Sequence, residues 1–400
     1  MSRPCFAIRG ARIPPPSVVM ALLHRVTLAV TALVGVGTRF ARAPGKDASG
    51  LAGETPAPRT QSEEIMKQLL NCVCWKALWL ASMLLLSLSI GSAQEAASPE
   101  IRVGIIGTDT SHVIEFTRMF NDASQPDHVP GMRVVAAFKG GSPDVSESWE
   151  RVDKYAAELQ SKWQVEIVDS IPKLCSMVDG ILLESLDGRT HLAQAKLVFA
   201  AGKPVFIDKP LAASYLDAKE IARLASQAGV PWFSSSSLRY WEETQRLKNL
   251  QGAGRILTYN VYSPSPTEPH HPDLMWYGIH GVEILFTLMG TGCESVSHTN
   301  TDDEDVVVGR WPGGRLGVMR GFRRGLYAYG INAFTDKTVV NSEPKPFSYR
   351  PLLVEIAKFM HTRVPPVSAA ETLEMFAFMQ AAELSKQQGG AEVPLSRLTH

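Results

Sequence analysis

The stretch Ile101-Arg102-Val103-Gly104-Ile105-Ile106-Gly107-Thr108-Asp109-Thr110-Ser111-His112 decides the fold. Its branched, apolar first half reads as a buried strand. Gly107 ends that strand in a tight turn, and a helical spacing of apolar residues runs on from Val113 to Phe120. The same alternation continues outward. Strands are expected at Met132 to Phe138, Val165 to Val168, Gly180 to Glu184, Pro204 to Asp208 and Pro231 to Ser235. Helices are expected between them at Ser148 to Trp163, Ile171 to Met177, His191 to Ala201 and Leu216 to Gly229. Short apolar strands alternating with helices predict a parallel sheet covered on both faces. Beyond about residue 250 strands follow one another, at Ile256 to Tyr262, Ser295 to His298, Asp305 to Trp311, Leu316 to Arg320 and Gly325 to Phe334. That rhythm predicts a largely antiparallel sheet, interrupted by a helix at Tyr277 to Met289 and closed by helices at Leu352 to Thr362 and Ala370 to Gln388. The fold class is therefore α/β: a doubly wound parallel domain over residues 101–235, then an α+β domain over 236–400 whose last helices can return to the first. Ligands of such folds bind in the crevice beyond the strand ends.

The chain has 400 residues, 45% of them hydrophobic and 20% charged, which excludes a disordered or collagenous chain and supplies enough apolar mass for two domains. Forty basic and forty acidic residues cancel, and no long run of one sign appears, so neither a nucleic acid nor an anionic membrane surface is an expected partner. A small molecule is. Five cysteines are too few and too scattered for a disulfide framework.

From Met66 a basic start leads into the apolar run Ala77 to Ile90, and Gly91-Ser92-Ala93 offers small residues for a signal peptidase. Residues 66–93 are thus expected to be a secretory signal cleaved after Ala93, with 94–100 a linker and the product periplasmic or extracellular. A retained membrane anchor is the alternative, although a span needs about twenty apolar residues. Residues 1–65 are read as a mis-assigned extension or a leader that contributes nothing to function.

The segment from Val178 to His191, followed by Ala200-Ala201-Gly202-Lys203-Pro204-Val205-Phe206-Ile207-Asp208-Lys209-Pro210-Leu211-Ala212, resembles the glucose-fructose oxidoreductase, inositol dehydrogenase and rhizopine catabolism family, Gfo/Idh/MocA. The family's E-K-P signature stands here as Asp208-Lys209-Pro210, and the resemblance continues through Arg239-Tyr240 and Gly278-Ile279-His280 to the final helices. It implies a Rossmann-type first domain, a nicotinamide cofactor, and hydride transfer at a hydroxyl carbon of a sugar or cyclitol. Lys209 and His280 match the positions that the family uses to move the hydroxyl proton and steady the oxyanion.

Three elements depart from the family pattern. The dinucleotide fingerprint G-x-G-x-x-G becomes Gly107-Thr108-Asp109-Thr110-Ser111-His112, so Asp109 falls where backbone should approach the diphosphate and His112 where the helix should pack closely. Thr108, Thr110, Ser111 and the helix amino terminus still offer donors. After the second strand an acidic residue is replaced by Lys139-Gly140-Gly141-Ser142, in which Lys139 with Ser142 is as consistent with a 2′-phosphate as with a plain surface loop, leaving NAD and NADP open. The D-x-G-x-H element reads Trp276-Tyr277-Gly278-Ile279-His280, so the partner of His280 is unidentified, Asp273 and Glu283 being nearest in sequence.

The expected cofactor loop after the fourth strand contributes Glu184, Asp187 and His191. Arg239, Tyr240, Trp276 and Tyr277 are the expected substrate-binding residues, the aromatic ones as faces for a sugar ring. His270 and His271 with Asp273 and His280 fit no compact metal motif, and no metal is expected. Two further readings stand beside the NAD(P)-dependent oxidoreductase. One is an exported sugar-binding or scaffold protein that has lost its cofactor. The other is a redox-neutral glycoside-cleaving enzyme with tightly held NAD. A homo-oligomer through the broad strand face is open to all three.

Overall fold

The first sheet is built from six strands whose apolar runs are continuous, because helices cover both of its faces. Every residue of β4 (Gly180–Leu183) and of β5 (Val205–Ile207) is buried. With β1 (Ile101–Ile106), β2 (Met132–Phe138), β3 (Glu166–Val168) and β6 (Trp232–Ser234), they form an all-parallel sheet of order β3-β2-β1-β4-β5-β6. This is the doubly wound arrangement read from the alternation. In this computed structural model, residues 99–399 are described; the expected leader and signal segments, and Cys5, Cys72 and Cys74, lie outside them.

The connecting helices are α1 (Ser111–Asn121), α2 (Ser146–Trp163), α3 (Ile171–Met177), α4 (Gly188–Ala200) and α5 (Tyr215–Ala228). Side-chain oxygens fix where three of them start. Thr110 accepts from the His112 amide at α1, Asp187 from the Arg189 amide at α4, and Ser214 from the Asp217 amide at α5.

The second sheet contains β7 (Ile256–Pro264), β8 (Ser295–Asn300), β9 (Glu304–Trp311), β10 (Arg315–Phe322), β11 (Gly330–Thr335), β12 (Val339–Asn341) and β13 (Val393–Pro394), in the order β12-β11-β7-β10-β9-β8-β13. Its pairings are antiparallel except that β10 runs parallel to β7. Along β9 buried and part-exposed residues alternate, so one face packs and the other is open. The packed face meets α7 (Ile279–Met289) and α9 (Ala369–Gln387) through Val261, Val307, Met319, Phe286 and Phe378, in a core that runs on to Ile181, Val205 and Ile221 of the first sheet's layer.

Two features correct the element boundaries expected from sequence. The helix expected from Tyr277 starts at Ile279 and is preceded by a wide π-type turn, Leu274–Gly278. A short helix α6 (Glu242–Lys248) follows a 3-10 turn at Ser237–Tyr240, where the sequence reading placed no element. Helix α8 (Arg350–Thr362) packs against the first sheet: Leu352, Ile356, Phe359 and Met360 share a core with Val103, Ile105, Phe206 and Phe233. The described residues close with the short helix α10 (Ser396–Thr399). Cys175 and Cys293 are buried free thiols. No helix among the described residues is long and apolar enough to cross a membrane.

Candidate active site

The turn after β1 is held by backbone contact. Gly107 has φ +88°, and a Cβ there would lie 2.4 Å from Cα of Ser185, so only glycine lets the turn abut the loop after β4. Asp109 does not face a diphosphate. Its carboxylate accepts from the Ser148 hydroxyl at 2.6 Å and from the Leu186 amide at 3.1 Å, and it is wholly buried. Burial pushes its pKa up, against the lowering effect of those two hydrogen bonds. Thr108 likewise turns inward, donating to the Val152 carbonyl at 2.8 Å. The Asp109 carboxylate is thereby tied away from the start of α1, which lines the cleft through Thr110, Ser111 and His112.

These residues floor one end of a cleft of about 630 Å³ at the carboxyl ends of the parallel strands. Lys209 and His280, from different domains, face the same cleft, as do Trp276, Tyr277 and Tyr327. Lys209 stands directly after β5, in the turn that follows Asp208. His280 sits in the first turn of α7, where its Nδ1 is 2.7 Å from the Ser236 hydroxyl. That hydroxyl, the partner the sequence did not reveal, comes from the four-serine run Ser234 to Ser237, which begins at the last residue of β6. Burial, reinforced by Lys209 and His112, holds the His280 pKa well below its usual value, so the ring is neutral. Tyr277 and Tyr327 meet hydroxyl to hydroxyl at the cleft wall. Burial raises the Tyr277 pKa, so it stays a neutral phenol.

Beneath this floor, against His112, lie two buried carboxylates. His112 Nδ1 is 2.7 Å from Asp208 Oδ2 and 4.0 Å from Glu184 Oε2. Burial alone would raise Asp208, but His112 and Lys209 outweigh it and hold its pKa at about 2. Glu184 is raised well above the carboxylate range, by burial first and by the adjacent Asp208 second.

Several expected site residues do other work. Glu184, Asp187 and His191 are buried and do not line the cleft, which Leu186 does instead. Asp187 caps α4 and accepts from Ser142 at 2.6 Å, with His271 Nε2 at 3.1 Å and Arg189 completing its partners. Burial would raise its pKa, but His271, Arg189 and Ser142 together depress it. His191 is held between the carbonyls of Ser185 and Leu211. Lys139 is half-exposed and paired with Asp153 at 2.7 Å; with Ser142 committed to Asp187, the two do not form the phosphate pocket considered above. Arg239 is buried against Glu283 at 2.5 Å and Glu371 at 2.6 Å, and Tyr240 points away from the cleft, which corrects both as substrate ligands. His270 and His271 converge on Glu268, while Asp273 pairs with Arg323 and Lys386, so those candidates do not gather.

Sequence reading missed Tyr327, Tyr329, Phe347 and Tyr349, which line the cleft from the loops around β11 and ahead of α8. Their signal was present as two aromatic pairs at spacing two, Tyr327-Ala328-Tyr329 and Phe347-Ser348-Tyr349, in segments without clear periodicity.

A six-stranded 3-2-1-4-5-6 parallel sheet joined to a mixed seven-stranded sheet, with a lysine and a histidine meeting at their junction, defines a two-domain dinucleotide-fold protein. Residues 101–236 match the model of the Gfo/Idh/MocA family, described as an oxidoreductase family with an NAD-binding Rossmann fold. The match covers the first domain, so the resemblance read from the sequence extends to that domain's family model. It is similar to YceM of Salmonella typhimurium strain LT2, whose name places it among the oxidoreductases: 26% identity over 123 residues, 31% of this chain and 40% of that relative. The match thus spans less than half of that relative. Among solved structures, a probable dehydrogenase from Thermotoga maritima superposes with a TM-score of 0.61 at 21% identity, covering 74% of this chain and 99% of the other. A scyllo-inositol dehydrogenase from Lactobacillus casei superposes with a TM-score of 0.62 at 14% identity, covering 74% and 99%.

Proposed function

We propose that the chain is an NAD(P)-dependent oxidoreductase acting at a hydroxyl-bearing carbon of a sugar or cyclitol. The observation that carries this reading is the meeting of Lys209 and His280, from two domains, in one cleft beside the open start of α1. The residues present fit a nicotinamide dinucleotide there. The amino terminus of α1, with Thr110 and Ser111, faces the cleft and would hold the diphosphate, and the Asp109 carboxylate is tied away from it. The cofactor would supply the acceptor or donor of hydride.

The chain's own groups act on the substrate oxygen. Ser236 already accepts from the Leu238 amide at 3.2 Å, which favours donation of its hydroxyl proton to His280 Nδ1. The His280 ring then carries its proton on Nε2, on the side away from Ser236, and holds the substrate oxygen by a hydrogen bond; in the direction of carbonyl reduction Lys209 gives that oxygen its proton as hydride reaches the carbon, and in oxidation it takes the proton back. Lys209 supplies a positive charge for the same oxygen as it becomes an alkoxide, in a site screened from bulk water by Trp276, Tyr277 and Tyr349. The tyrosines give the ring of a polyol both apolar faces and hydroxyl partners.

The test is to purify the full chain without added nucleotide, denature it, and identify released small molecules by mass spectrometry, with NAD(H) and NADP(H) titrations alongside. Bound or titratable nicotinamide supports the reading and tells NAD from NADP. Neither being found removes it and favours a sugar-binding protein. In turnover with a polyol panel, Lys209→Ala is expected to lower kcat at least a hundredfold. Export is proposed on the apolar run Ala77 to Ile90 and the Ala93 site; sequencing the amino terminus of the mature protein checks it.

A further inference from the structure

We propose that His112, Glu184 and Asp208 form a buried site for a first-row divalent cation such as Mn²⁺ or Zn²⁺, directly beneath the cleft floor. Three elements converge to make it: Glu184 at the end of β4, Asp208 at the end of β5, and His112 in the first turn of α1. The donor atoms they offer all lie within 4.8 Å of one another.

The case rests on what the carboxylates lack. Glu184 is wholly buried, and neither of its oxygens has a hydrogen-bond partner in the protein; Asp208 Oδ1 is in the same position. Three stranded acceptors in one enclosed volume are far outside the usual satisfaction of buried polar atoms. His112 meets only one of the oxygens, Asp208 Oδ2. A proton on Glu184 would supply a single donor. One divalent ion accepts lone pairs from several oxygens at once and cancels the charge of both carboxylates, which two buried like charges require.

The spacing suits an ion. Bonds to nitrogen and oxygen ligands run about 2.0–2.6 Å, so ligands on one ion stand roughly 3 to 5 Å apart. The separations of 2.7 and 4.0 Å from His112 Nδ1 need only small side-chain adjustments. A mixed imidazole–carboxylate set selects Mn²⁺, Fe²⁺ or Zn²⁺ over softer metals. The histidine also forms part of the cleft floor, so the ion would be reached from the cleft. This inference does not rest on the oxidoreductase reading, and its test contains neither nicotinamide nor polyol.

The full chain, stripped with a chelator, is titrated with Mn²⁺ and followed by electron paramagnetic resonance, with Zn²⁺ as competitor. One Mn²⁺ per chain is expected, with at least tenfold weaker binding in both Glu184→Gln and His112→Gln. Absence of binding by the parent chain, or parent-like affinity in either variant, would overturn the proposal and leave a protonated Glu184. Should a variant fail to fold, the wild-type chain decides alone: electron spin-echo modulation of bound Mn²⁺ must show one directly coordinated imidazole nitrogen, and a spectrum without it overturns the site.

Discussion

Replacing Arg239 by Met tests whether this residue is a strut or a substrate ligand. Its side chain is 6% exposed, with Nε at 2.5 Å from Glu283 Oε1 and the guanidinium at 2.6 Å from Glu371. Glu283, 2% exposed, keeps only a 3.1 Å hydrogen bond from Ser235 once the arginine is gone. Leaving one partner of a buried pair uncompensated costs about 3–5 kcal/mol. The contact with Glu371 adds at most about 1 kcal/mol, because that carboxylate reaches solvent. Burial already raises the Glu283 pKa, against the opposing pull of Arg239, so the variant can take up a proton there, which keeps the loss within that range. For a domain of this size each kcal/mol shifts the midpoint by about 2–4 °C, so Arg239→Met should lower Tm by roughly 6–20 °C. The double variant Arg239→Met/Glu283→Met should recover most of that. Melting followed by circular dichroism reads both. A single variant that melts within about 2 °C of the parent, while KM for a substrate rises sharply, would refute the structural role and return Arg239 to the binding site.

Further expectations follow from the turn, the histidines and the acid/base pair. Gly107→Ala, which places a Cβ 2.4 Å from Ser185 Cα at φ +88°, should destabilise by about 2–5 kcal/mol in urea unfolding. His191 and His280 both have pKa values below the ordinary one, burial being the first cause of each. The unfolded chain then binds protons that the native one refuses, so stability is full above about pH 6.5 and falls on acidification, by up to about 1.4 kcal/mol per pH unit for each. His271 has a raised pKa, because Asp187 and Glu268 outweigh its burial, and so acts on the alkaline side, losing its contribution as pH rises through its folded value. His280→Asn should therefore flatten the loss between pH 6.5 and 5.5 (about 6.5 being the unfolded pKa) in denaturant titrations. Ser236→Ala, which removes the partner of His280 Nδ1, should lower kcat about tenfold and displace the pH profile with little change in KM; an unchanged profile would separate Ser236 from the chemistry.

The parallel sheet was legible because both its faces are covered: runs such as Ile181-Leu182-Leu183 and Val205-Phe206-Ile207 carry no polar alternation to mislead. Lys209 and His280 were legible through short motifs that stay local in sequence. What escaped was set by tertiary contact. The partner of His280 lies 44 residues away, and Glu283, the closer carboxylate, is consumed by Arg239, itself 44 residues distant. The aromatic wall comes from loops whose spacing follows the cleft and no helix or strand period. The return of α8 to the first sheet depends on a face, Leu352, Ile356 and Phe359, that would suit either domain.

Asp109 shows why a departed fingerprint need not be a broken one. In the expected pattern, glycine at this position lets backbone approach a phosphate, and any side chain there reads as an obstruction. Here the carboxylate folds back and joins the start of α2, through Ser148, to the loop after β4, through the Leu186 amide. Asp187 does the same one turn further on, joining Ser142 to His271 and Arg189. Two buried aspartates thus brace the β2–α2 loop, the β4–α4 loop and the segment before α7 against one another. The brace replaces the close helix packing that glycine would have allowed, and it leaves the start of α1 facing the cleft. The bulk that His112 adds at the third fingerprint position is absorbed in the same way, by stacking on Phe116 at 5.2 Å and by the pairing with Asp208. Each substitution that looks disabling in one dimension therefore has a partner in three, and those partners, more than the glycines, keep the mouth of the sheet in shape.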